Sequence, residues 1–381
     1  VTLHSALPAD PAPLPARAEA LDPLTLLAAP GPEPGAVASA LAPVMGRAVA
    51  DLVRRLEWHR VDGLAWRTLA GLPPEGMDPW LRATLRRRHQ MIAAATLAQG
   101  LALGEVLEAI GRAGIPAAVM RGLRAVEWIY GDAGARPFED HDLLVPPEDA
   151  AGVAAILGRF GFTAAAPGLF RRASIAIDLH TDPLGAVRRP ERARLFPIDT
   201  GALFRDARPG FVAGGPVMLL RDEDDVLLLA LHVVKHSFDR VLRTADLAHV
   251  VAVHGRSISW ERLRERADAI RAGRLVALAF AAAVPLGVRV PPALVPATPA
   301  GPLESLVLRR VTSLSPLPYG GEILMALTAP RLRDRLRFVV DALLPRGEAP
   351  GGHWRPADLP QRAVVLFDGV VRRRRDRRSA R

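Results

Sequence analysis

RPFEDHDLLVPPEDA (residues 136–150) sets two aspartates, Asp140 and Asp142, immediately before the apolar run Leu143-Leu144-Val145. Alternate residues of a strand point to the same face, so the two carboxylates leave one side of the chain about 7 Å apart. Such a pair can bracket a hard divalent cation, which takes oxygen ligands and leaves places for phosphate and water.

Working outward, the period-2 pattern recurs. IPAAVM (115–120) reads as a buried strand and RGLRAVEWIYGD (121–132) as a loop with a short helix. HDLLVP (141–146) is the second strand, and a helix follows from Pro147 to Phe160. GFTAAAPGLFRR (161–172) predicts a hairpin turning at Pro167-Gly168, and SIAIDLH (174–180) predicts a third alternating strand. In that strand Ala176, Asp178 and His180 share a face, while Ile175, Ile177 and Leu179 point to the core. An aspartate between such neighbours is costly unless paired or cation-bound. If strand 174–180 lies beside strand 141–146, Asp178 completes a three-carboxylate cluster able to hold two cations about 4 Å apart. The same residues permit a plainer reading, in which Asp140 caps a turn and Asp178 pairs with an arginine such as Arg172.

Helical spacing surrounds this unit. VMGRAVADLVRRLEWHRVDGLAWRTLAG (44–71) repeats apolar residues every three or four positions, and Asp78-Pro79 caps a long helix ending at Gly114. Helices resume at Asp222, where the acidic RDEDD (221–225) reads as a first turn stabilised by the helix dipole. The division expected is a Pro/Ala-rich irregular arm (1–35), a helical region (36–114), an α/β core with a small mixed sheet (115–220), a second helical region (221–345) and an irregular basic tail (346–381). The fold class is therefore α/β (α+β).

Composition excludes several functions. Without cysteine the chain has no disulfide, thiol nucleophile or cysteine-bound metal. The charge of +10 is concentrated: RRRRDRRSAR (372–381) carries +6, leaving +4 elsewhere. That tail suits RNA, an acidic partner or anionic lipid, or simply a solvated end. Only 5% of residues are aromatic, and no RNA-binding signature appears. The longest apolar candidate, Leu275 to Val288, is interrupted by Pro285 and reads as a buried helix. No secretory leader is legible, so a cytoplasmic location is expected. GxGxxG and Walker patterns are absent, which removes dinucleotide and P-loop readings.

The ordered set of a strand ending in Arg121-Gly122, the Tyr130-Gly131-Asp132 turn, Arg136, Asp140-His141-Asp142-Leu143-Leu144-Val145 and Asp178-Leu179-His180 resembles the uncharacterised nucleotidyltransferase family of bacteria, within the polymerase-β-like superfamily. LEWHRVDGLAWRTL upstream and DEDDVLLLALHVVKHSFDRVLRTADLAHVV downstream extend the resemblance over roughly residues 45–255. It implies transfer of an NMP group from an NTP to an unidentified acceptor: a small molecule, peptide, protein or RNA. Asp140, Asp142 and Asp178 would hold Mg²⁺ or Mn²⁺. Arg121-Gly122 occupies the family's Lys-Gly position near the triphosphate. Arg136 would sit near the phosphates or brace Asp140. His180 and His236 join the nucleotide-binding set. A nucleotidyltransferase-fold protein that binds nucleotide or a partner without turnover is the alternative.

Weaker signals accompany these. His232 and His236 are spaced i,i+4, with no glutamate of a zinc-protease motif. Lys235, the only lysine, is expected to face away from that pair. Arg243 and Asp246 are expected to form a helix ion pair, Ser259 to cap a helix, and His141 and Tyr130 to pack.

Overall fold

The alternating segments around Asp142 become strands of one mixed sheet. The computed structural model describes residues 22–343 except 74–76, 186–191, 193–194, 318 and 330. Strands β1 (Ala118–Met120), β2 (His141–Leu144), β3 (Thr163–Ala166), β4 (Leu169–Arg172) and β5 (Ile175–His180) are arranged in the order β1-β2-β5-β4-β3. β2 and β5 run parallel and the other pairs antiparallel. The β3–β4 hairpin turns at Pro167-Gly168, where Gly168 has φ +76°. A separate hairpin, β6 (Arg208–Val212) and β7 (Gly215–Leu219), hangs from β1 by the Met218 N–H to the Ala117 carbonyl at 2.7 Å.

The helices before β1 are α1 (Pro23–Ala28), α2 (Pro34–Leu41), α3 (Arg47–His59), α4 (Asp62–Ala70) and α5 (Pro79–Arg112). α6 (Gly122–Ala125) follows β1, α7 (Ala150–Arg159) follows β2, and α8 (Thr200–Asp206) precedes β6. After β7 come α9 (Asp222–Lys235), α10 (Val241–His254), α11 (Trp260–Ala269), α12 (Gly273–Ala281), α13 (Pro302–Thr312), α14 (Gly320–Thr328) and α15 (Leu332–Leu343). One face of the sheet packs on Leu103, Leu107 and Ile110 of α5 and on Val153 and Leu157 of α7. α9, α10 and α12 form a second core with α1, α3 and α4.

Several expected details are present. Asp78 accepts from the Leu81 N–H at 3.0 Å, and Ser259 accepts from the Arg262 N–H at 3.3 Å. The Leu275 region is a buried helix followed by a turn at Val284–Leu286.

Other details differ. The arm expected to be irregular contains α1, because Asp22 caps the Leu24 N–H and Leu24 and Leu27 are fully buried. The acidic run opens α9 as expected, yet Asp225 and Asp224 are buried partners of Arg124 and Arg266, both at 3.0 Å. α5 is long enough, and in one window apolar enough, to cross a membrane, a possibility the composition did not suggest. Its inner side packs on α4, α7 and β7. The basic tail lies outside the described residues.

The turn before β2 is tightly fixed. A Cβ on Gly63 of α4 would stand 2.1 Å from the Gly134 carbonyl oxygen, so only glycine lets α4 approach so closely. The Asp132 carboxylate accepts from the Gly134 N–H at 2.8 Å and lies 3.0 Å from His89 Nε2 on α5.

Candidate active site

β1 ends in a sharp turn. Arg121 has φ +54°, ψ −144° and Gly122 has φ +38°. Arg121's region of backbone space is strained for a residue with a side chain. A Cβ on Gly122 would meet the Asp140 carbonyl oxygen at 3.3 Å, so the turn lies against the start of β2. This geometry carries the Arg121 guanidinium over β2, where Nε donates to Asp142 Oδ2 at 3.0 Å and a terminal nitrogen lies 2.5 Å from Oδ1.

The parallel pairing of β2 and β5 sets Asp142 opposite Asp178. His180, two residues along β5, completes the arrangement. Its Nε2 lies 2.9 Å from Asp142 Oδ1 and 3.2 Å from Asp178 Oδ2. Ligand atoms of Asp142, Asp178 and His180 all fall within 4.8 Å of one another, a group able to hold a metal ion. Arg172, the alternative partner for Asp178, instead donates to the Phe160 carbonyl at 2.9 Å and covers the Phe162 ring.

The carboxylates differ in electrostatic state. Burial alone would push the Asp142 carboxyl up. The charge of Arg121, then hydrogen bonds from His180 and Arg121, hold it well below the ordinary range. Burial raises the Asp140 pKa, and the charges of Asp142 and Asp178 raise it further. Asp140 makes no hydrogen bond or ion pair among the described residues. Burial works against His180 protonation, but its bonds to the two aspartates win and its pKa is raised. The group brought together is thus two carboxylates and an imidazole in place of the expected three carboxylates. Asp140 is not in it and lines the same cavity as a mostly buried, uncommitted carboxylate, a donor set able to hold a divalent cation.

These aspartates form one wall of a cavity of about 270 Å³. The other walls come from helix ends: Arg60 after α3, His232 and Lys235 of α9, His236, Arg240 and Arg243. Burial and the surrounding cations keep both imidazoles neutral, with His236 pushed down to about 2. Burial, with Arg121 and Arg192, pushes the Lys235 ammonium down to about 8.

The expected residues thus converge, with changed roles for some. Arg136 lines the cavity but gives Nε and a terminal nitrogen to Asp246, both at 2.8 Å, and so does not brace Asp140. Tyr130 packs as expected and donates to the same Asp246 at 2.8 Å. Asp246 is therefore not the partner of Arg243, which pairs with Asp239 and donates to His232 Nε2 at 3.3 Å. His180 is 4% exposed and sits behind the carboxylates, not on the cavity wall. His141 is buried with its ring centroid 5.1 Å from that of Phe138.

Sequence reasoning misplaced Lys235. Three residues after His232 means about 60° on a helical wheel, so the two share a face. Arg60, Arg240 and Glu139 were missed; they lie on three separate segments with no motif linking them.

A mixed sheet bearing paired aspartates, with helix ends carrying cations over them, is the arrangement expected from the resemblance to nucleotidyltransferases. The family described as uncharacterised nucleotidyltransferase matches residues 47–286, and the chain belongs to it. Comparison with curated proteins found no match, and comparison with solved structures found none.

Proposed function

We propose that this chain catalyses Mg²⁺-dependent nucleotidyl transfer. An acceptor hydroxyl attacks the α-phosphorus of an NTP, the bond to the β-phosphate oxygen breaks, pyrophosphate leaves and an NMP group ends on the acceptor. The observation that carries this reading is that Asp140, Asp142 and Asp178 line one cavity together with Arg60, Arg121, Lys235, Arg240 and Arg243. Mg²⁺, or Mn²⁺ in its place, would supply charge neutralisation on the phosphates and activation of the attacking oxygen. Asp140 and Asp142 would hold the metal, with Asp178 as third ligand or as base for the acceptor proton. Arg121 and His180 orient Asp142, and Gly122 admits the phosphates close to the backbone. Positioning and charge compensation carry the catalysis, without a covalent enzyme intermediate. The acceptor is a small molecule, peptide, protein or RNA. A cytoplasmic site of action and an acidic partner for residues 372–381 belong to the same reading.

The grip of Arg121 on both oxygens of Asp142 favours a second reading, a protein that binds nucleotide without turnover. Calorimetry with a non-hydrolysable NTP and Mg²⁺ tests both, comparing wild type with the Asp140→Asn/Asp142→Asn double variant. Metal-dependent binding lost in the variant is expected, with pyrophosphate release from NTP once an acceptor is supplied. Folded wild-type protein that binds no nucleotide would overturn both readings; binding without release across acceptors would favour the second.

A further inference from the structure

We infer that Lys235 is the residue that grips the nucleotide's phosphate chain, while Arg121 is retained as a brace for Asp142. This rests on the nucleotidyl-transfer reading and assigns the phosphate contact within it. Lys235 is the only lysine in the chain. It ends α9 and lines the cavity, and its Nζ would stand 3.7 Å from a Cβ placed on Gly185. Among the described residues it makes no hydrogen bond or ion pair.

Among the described residues, the other cations lining the cavity are engaged. Arg121 is ion-paired with Asp142, and Arg136 is forked on Asp246. Arg60 pairs with Glu139 and Arg243 with Asp239. Arg240 donates to the Trp58 carbonyl and stacks over the Trp58 ring. A mostly buried ammonium that makes no direct ion pair among the described residues is unfavourable, with Asp142 and Asp178 offsetting only part of the cost, and an arriving phosphate oxygen removes the rest. The chemistry of the two side chains points the same way. A planar guanidinium matches a carboxylate bidentately, whereas an ammonium is a compact donor that can follow a phosphate chain. Two neutral imidazoles, His232 and His236, flank Lys235, so among the described cavity residues it is the cation left without a hydrogen-bond or ion-pair partner.

The test uses inorganic tripolyphosphate with Mg²⁺, measured by calorimetry on the full chain. Lys235→Gln is expected to weaken binding about tenfold or more, the worth of one charge-assisted contact, with Lys235→Arg recovering part of the loss. Lys235→Gln binding within twofold of wild type would overturn the inference while leaving the reaction class standing. Wild type that fails to bind tripolyphosphate would overturn the reaction class and this assignment together. A second measurement needs no variant and so survives a folding defect. With one lysine, acetylation followed by peptide mapping reports on Lys235 alone. Tripolyphosphate is expected to slow its acetylation about tenfold, and an unchanged rate would overturn the assignment.

Discussion

Asp142 and Asp178 face each other across the parallel β2–β5 pair, and a single imidazole nitrogen of His180 reaches both carboxylates. Like charges side by side repel, so the arrangement needs a compensating cation. Arg121 and His180 compensate Asp142. Asp140 is left with the repulsion.

That asymmetry predicts opposite effects on stability and binding for Asp140→Asn. In metal-free buffer the variant should melt as high as wild type or higher, because a carboxylate disfavoured by burial and by two neighbours has been neutralised. Metal-dependent nucleotide affinity should fall by more than the tenfold to hundredfold typical of losing a supporting residue. Thermal melts and calorimetry on one preparation check both. A variant that melts well below wild type would show Asp140 to be structural.

His180 should behave as a positioning residue. His180→Ala removes the bridge, and among the described residues Asp142 then keeps Arg121 alone. Metal and nucleotide affinity are expected to drop about tenfold to hundredfold. His180→Gln, which keeps one donor, should recover part of that loss. A structural role alone would lower the melting temperature and leave the metal affinity of the folded fraction unchanged.

Much of the site was readable from strand alternation. The side-by-side placement of Asp142 and Asp178 needed only the period of two and the expected strand pairing, whereas Asp140 precedes β2 and meets them only as a lining residue of the same cavity. The cationic walls were less accessible, because Arg60, Arg240 and Lys235 come from different helix ends and no local pattern records where those ends meet. Arg136 shows the same limit. Its position suited phosphate contact, but Asp246 lies 110 residues away and decides its role. α1 was hidden by proline-rich composition, although Asp22-Pro23 followed by Leu24 and Leu27 carried a cap and an apolar face.

The buried Arg136–Asp246 pair gives a stability prediction. Side-chain exposures of 6% and 1%, with Tyr130 as third member, mean that removing one partner strands a charge in the core. Asp246→Ala should cost about 3–5 kcal/mol. Tyr130→Phe should cost about 1.5–3 kcal/mol, the worth of a hydrogen bond to a charged group. Replacing both members of the ion pair, as Arg136→Met/Asp246→Leu, should destabilise less than Asp246→Ala alone. Urea unfolding of the set measures the coupling, and strictly additive losses would contradict it.

His249 links stability to pH away from the site. It is buried on α10, with Nε2 3.2 Å from the Ala28 carbonyl and its ring centroid 4.9 Å from that of Tyr130. Burial pushes its pKa from 6.5 down to about 4, and the bond to Ala28 offsets only part of this. Between those values the unfolded chain takes up a proton that the folded protein refuses. The stability contribution is therefore complete above pH 6.5 and is lost as pH falls toward 4, at about 1.4 kcal/mol per pH unit. His141, pushed down to about 4 by its own burial, adds a slope of the same sign. His249→Gln should reduce the wild-type slope by about one proton while leaving His141's share in place. Urea unfolding at half-unit steps from pH 4.5 to 7 gives both slopes, and equal slopes would mean that His249 is protonated in the folded state.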